Sequence, residues 1–121
     1  MQHFISSDLK DIPFSIGLMA SGDFNGKPSL PQVQENFMKT AVEIGVHLHF
    51  QDTFSHNQRI EEVLKAFIKC HKLMDYLIKA KQKSEITREE YLHFEIQMKD
   101  VIKRLEAAYE KMTKKQVNYR C

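Results

Sequence analysis

From Gln58 to Met112 the chain has neither proline nor glycine, and apolar residues recur every three or four positions. That spacing places them on one face of a helix with 3.6 residues per turn. Ile60, Val63, Phe67, Cys70, Met74 and Leu77 line one side of a first stretch, with Leu64, His71 and Ile78 flanking. Tyr91, Phe94, Met98, Val101, Ile102, Leu105, Tyr109 and Met112 line a second. Between them, "SEITREE" is a helix-start signal: Thr87 is a good N-cap and Glu90, three residues on, completes a capping box. The spacing predicts one helix from about Gln58 to Lys83 and another opening after Thr87. The chain's four glycines and three prolines are too few for many short strands.

Upstream, Val33, Phe37, Ala41, Ile44 and Leu48 form a further helical stripe, and Pro31 suits the first turn of that helix. The polar stretch "DTFSHNQ" then supplies a break with good capping residues. Residues 42–50, "VEIGVHLHF", also alternate apolar with polar, which is a strand pattern rich in β-branched residues. A strand needs a partner, and residues 12–19, "IPFSIGLM", are the only other candidate. A lone two-stranded ribbon is marginal, and the helical stripe runs through 42–50 without a break. Helix is therefore the preferred reading. Residues 1–20 are open between an alternating strand and a short helix entered at Pro13, and "SGDFNGKPS" is a loop of turn formers. The expected fold is all-α: an antiparallel three- to four-helix bundle over residues 29–115. An irregular N-terminal segment and loop (1–28) precede it and a basic tail (116–121) follows.

A chain of 121 residues makes one domain, large enough to bury roughly two-thirds of its surface without metals or staples. The net charge of +2 is unevenly spread. Residues 1–60 hold four Lys/Arg against six Asp/Glu, and residues 61–121 hold fourteen against ten, so the basic character lies in the second half. Cys70 and Cys121 do not make a disulfide framework, and Cys70 reads as a small core residue of a reducing compartment. No signal peptide or membrane-spanning run is visible, so the expected location is cytoplasmic.

Lys65, Lys69, Lys72, Lys79 and Lys83 fall on one face of the second helix, with Tyr76 at the vacant step. Asp75 is the only acid between residues 63 and 84. Such a row suits a phosphate backbone, with the tyrosine available to stack on a base. Lys111, Lys114, Lys115 and Arg120 extend the basic footprint. The competing explanation is a solvated helix face. No phosphate loop and no nucleophile–base pattern is present, so the expectation is a protein that is not an enzyme and uses no cofactor. The one catalytic alternative is Arg88 with His93, an Arg-x4-His spacing that resembles the motif of the HEPN ribonuclease domains, in which the two residues act on the scissile phosphate.

The helix reading of 42–50 gives Val42, Val46 and Phe50 a second apolar stripe away from the first, and a helix apolar on two sides is buried on two sides. These three residues are the predicted homo-oligomer contact. The strand reading would instead point Glu43, His47 and His49 the same way and offer a chelating His-x-His. In a helix only Glu43 and His47 share a face, so no metal site is expected.

Three landmarks carry a family resemblance: the Leu30-Pro31 entry, "TAVEI" at 40–44, and "ITREEY" at 86–91. Over residues 30–112 the layout resembles the four-helix bundle family of rRNA intervening-sequence proteins, to which the accessory variability proteins of diversity-generating retroelements are related. The resemblance implies a helical bundle that assembles into rings, often pentamers, with basic surfaces that engage nucleic acid and no catalytic site. It would make 42–50 helical. The segment "FISSDLKDIPFSIGLMA" departs from the long, aromatic-rich helix that opens that family.

Overall fold

The computed structural model describes the backbone of residues 2–20, 23–24, 27–28, 30–50 and 53–118, and the side chains of 9–20, 30–50 and 53–114. Four helices follow in chain order: α1 (Gln2–Met19), α2 (Pro31–Leu48), α3 (His56–Gln82) and α4 (Arg88–Asn118). The fold is an all-α four-helix bundle. Two-residue strands β1 (Asp23–Phe24) and β2 (Lys27–Pro28) pair antiparallel, Asp23 opposite Pro28, and tie off the α1–α2 loop.

Successive helices pack on one another and α1 packs on α4, which closes the ring. Cross-helix contacts fix the up-and-down order. Gly17 faces Met38 and Ala41 while Gly45 faces Pro13. Glu43 meets Lys69 while His47 meets Glu62. Lys81 sits over the Tyr91 ring while the His56 ring bonds the Met112 carbonyl at the other end.

The core is built from one stripe per helix. Leu9, Ile12 and Ile16 of α1 and Ala20 just after it contribute one stripe, and Val33, Phe37, Ala41, Ile44 and Leu48 come from α2. Val63, Ala66, Cys70, Leu73, Leu77 and Ala80 come from α3, and Phe94, Met98, Val101, Leu105 and Met112 from α4. Phe37 and Phe94 meet across the middle with ring centroids 4.9 Å apart, tilted by 48°. Tilted aromatic pairs of this kind add about 0.5–1.5 kcal/mol beyond their burial.

The N-terminal segment, expected to be irregular, is a helix and a full member of the bundle. Pro13 removes the N–H that would bond the Leu9 carbonyl, a break that costs about 3 kcal/mol in a helix interior. Burial of Leu9, Ile12, Ile16 and Ala20 at successive helical steps holds the segment in place. The bundle thus begins within residues 1–28, not at residue 29. Residues 42–48 are helical, and the strand alternative for 42–50 is overturned; His49 is the C-cap and Phe50 follows it. The last helix extends to Asn118, so the backbone of 116–118 continues α4 where a tail was expected, while 119–121 lie outside the described residues.

The helix ends follow local chemistry. The Thr87 hydroxyl accepts from the Glu90 N–H and the Thr87 N–H donates to the Glu90 carboxylate, both at 3.0 Å, which is the predicted capping box. Ser55 and Gln58 form a second box at the start of α3. At the end of α3, Ser84 takes φ 61°, its N–H donates to the Lys81 carbonyl and the Glu85 N–H to the Ala80 carbonyl. That is a Schellman turn with serine in the left-handed position. Among the described residues, no helix is long and apolar enough to cross a membrane.

Candidate nucleic-acid interface

The lysine row lies on the flank of α3 that adjoins α2, and its members differ in what they touch. Lys65 bonds the Glu62 carboxylate at 3.2 Å and Lys69 pairs with Glu43 of α2 at 3.7 Å. These two are partly neutralised. Lys72, Lys79 and Lys83 are exposed and make no ion pair among the described residues. Asp75 lies one turn from both Lys72 and Lys79 and pairs with neither. At 1.5 Å per residue, Lys72 to Lys83 spans about 16 Å of helix, a ridge of three free ammonium groups.

Tyr76 is not the stacking platform the sequence suggested. Its ring packs against the core and its hydroxyl is enclosed without a hydrogen bond. Asn36 lies beside it, but the Asn36 amide donates to the Gln32 carbonyl at 2.8 Å. Burial first, then the Glu85 charge, holds the phenol above its ordinary pKa, which the neighbouring Asn36 amide opposes. The site is therefore cationic without an aromatic. Lys81 turns to the opposite flank, where its ammonium sits 4.3 Å from the centre of the Tyr91 ring. Lys111 and Lys114 are exposed on the last turns of α4, whereas the side chains of Lys115 and Arg120 lie outside the described residues.

Arg88 and His93 are both exposed, in the first and second turns of α4. Five residues turn a helix by about 140°, so the two side chains leave from different sides. The His93 ring is 2.8 Å from the Gln97 amide and stands beside Phe94, with centroids 5.9 Å apart. Glu90 and His93 also have the Glu-x-x-His spacing of bundle metal sites, a motif not expected in this chain. The Glu90 carboxylate is occupied by the Thr87 N–H.

The alternative metal set is dispersed. Glu43 faces Lys69, His47 Nδ1 bonds Glu62 Oε1 at 2.9 Å, and His49 is exposed at the C-cap. No group of three or more potential ligands comes together among the described residues. Of the predicted oligomer contact, Val42 and Val46 are 65% and 69% exposed. Phe50 is not part of that surface. It packs against the core with the Arg59 guanidinium 5.7 Å from its ring centre. Met38, one turn before Val42 and also exposed, takes its place.

A cleft between α3 and α4, about 500 Å³, is lined by Val63, Leu64, Phe67, Tyr109 and the charged Lys103, Glu106 and Glu110. It mixes both charge signs.

Comparison with protein-family models, curated proteins and solved structures finds no match to this chain.

Proposed function

We propose that this chain is a non-enzymatic accessory or scaffold bundle, homo-oligomeric, that contacts nucleic acid or a nucleic-acid-handling partner through the lysine ridge of α3. The observation that carries the reading is the set of exposed ammonium groups on Lys72, Lys79 and Lys83, which make no ion pair among the described residues. Unpaired surface cations cost little to bring against phosphates, and each contact releases counterions. Lys65 and Lys69 contribute less, because binding must compete with Glu62 and Glu43. The resemblance to the intervening-sequence protein layout supports the same reading, as does the basic second half of the chain.

The test is fluorescence anisotropy with a structured RNA and a duplex DNA over a salt series, on the native chain and a Lys72→Glu, Lys79→Glu, Lys83→Glu variant. Three phosphate contacts give a log–log salt slope of about −3 on duplex DNA, at about −0.9 per contact. The variant should lose that binding with its helicity intact. Absence of native binding at low salt, or equal binding by the variant, overturns the proposal and directs attention to protein partners.

A further inference from the structure

The outward seam of α2 consists of Glu35, Met38, Val42, Val46 and His49, every one exposed. Their steps are three, four, four and three, so the seam reads the same in both directions about Val42. Its ends carry complementary groups, a carboxylate at one and an imidazole at the other. We infer that a second copy of this chain docks on this seam about a twofold axis through Val42, with α2 antiparallel to α2. In that register Val42 meets Val42, Met38 meets Val46 of the second copy, and Glu35 meets His49 of the second copy. A closed twofold contact needs a self-complementary patch of this kind. A parallel register would place Glu35 against Glu35.

The neighbouring helix widens the patch. Pro13 and Gly17 of α1 pack on Gly45 and Met38, and the next residues along, Phe14 and Leu18, are exposed. Phe14, Leu18, Met38, Val42 and Val46 together present on the order of 500 Å² of apolar surface, a size often functional on a monomer. Two such faces supply about 1,000 Å², the threshold for a specific interface, before the polar rim is counted. Gly17 and Gly45 lie at the contact between α1 and α2, which sets the two apolar rows side by side.

This inference deepens the homo-oligomer part of the reading above and is independent of nucleic-acid binding. It is tested by light scattering and sedimentation over a concentration series, up to the highest soluble concentration, on the full chain. The native protein should be a dimer. Val42→Lys should give a folded monomer, since two ammonium groups would meet at the axis. Glu35→Lys alone and His49→Glu alone should each weaken the dimer at least tenfold, and the two combined should restore it. In a Cys121→Ser background, Val42→Cys should oxidise to a covalent dimer, because an axial position brings its own copy within disulfide reach. A native monomer at all concentrations overturns both the twofold and the oligomer reading. A larger assembly, or a dimer indifferent to Val42→Lys or not restored by the charge exchange, overturns the twofold while leaving an oligomer in place.

Discussion

His47 Nδ1 lies 2.9 Å from Glu62 Oε1 and joins the last turn of α2 to the second turn of α3. With Glu43 and Lys69 it forms two polar rungs across a helix pair whose core side is apolar. The hydrogen bond from His47, with lesser help from Lys65, holds the Glu62 carboxyl below its ordinary pKa against the opposing effect of burial. The unfolded chain then binds more protons than the native one in the carboxylate range. The stability contributed by Glu62 is complete above its unfolded pKa of about 4.3 and is lost as pH falls through the lower native value. Glu62→Gln should therefore flatten the acid limb of a urea-midpoint profile and cost about 0.5–1 kcal/mol at neutral pH. An acid limb identical to that of the native protein would show that the rung contributes nothing.

Ser84 holds a left-handed backbone at φ 61° because the Schellman turn after α3 requires it. A side chain there costs about 1–2 kcal/mol relative to glycine, partly offset by glycine's greater freedom in the unfolded chain. Ser84→Gly should stabilise the protein by about 1 kcal/mol, read as a raised urea midpoint at an unchanged slope. Ser84→Val, β-branched, should destabilise it.

Gly45 faces Pro13, and a Cβ added there would sit 3.7 Å from the proline Cβ, an ordinary contact. Gly45→Ala should stabilise α2 by about 0.5–1 kcal/mol through helix propensity alone. Gly45→Leu should drive α1 away from α2 and cost about 1–3 kcal/mol. Thermal melts of the two variants moving in opposite directions would establish that the α1–α2 approach is close but not strained.

The helices of the second half were legible from sequence because each carries one dominant stripe and a capping box. The first half was harder for a physical reason that α1 and α2 share. In α2, Ile44 and Leu48 are buried while Val42 and Val46 are exposed, two residues out of step. In α1, Ile12 and Ile16 are buried while Phe14 and Leu18 are exposed, with the same offset. Two helical rows offset by two residues add up to strict alternation, which imitates a strand. The strand-like pattern is thus the signature of an outward apolar row on a helix, and Pro13 added a second misleading cue. At the candidate site, the lysine row was legible as spacing. Its division into paired Lys65 and Lys69 and exposed Lys72, Lys79 and Lys83 was not, because Glu43, the partner of Lys69, comes from another helix, and Glu62, the partner of Lys65, is itself held by His47 of that helix. Tyr76 was misread because the row lies on the flank of α3 that adjoins α2, where its ring packs against the core.

Cys70 lies in the buried stripe of α3, and burial alone pushes its thiol up to about 12. Since the thiolate is the reactive form, the native thiol should be inert to aromatic disulfide reagents at pH 8. In a Cys121→Ser background, labelling of Cys70 should proceed only through opening of the bundle, with a rate that tracks stability. Phe37→Ala removes one partner of the central aromatic pair, should cost about 3–5 kcal/mol, and should accelerate labelling by two orders of magnitude or more. The same burial sets an alkaline limit. Unfolded, the thiol ionises near its ordinary value of about 8.5; native, it stays protonated to about 12. The native chain therefore binds more protons in that window, and stability falls as pH rises through it. The phenols of Tyr76 and Tyr91, also raised by burial, act in the same direction at higher pH. Cys70→Ala should reduce the loss of urea midpoint between pH 8 and about 10. Native-state labelling at the rate of a free thiol would mean that α3 is not held as the packing indicates.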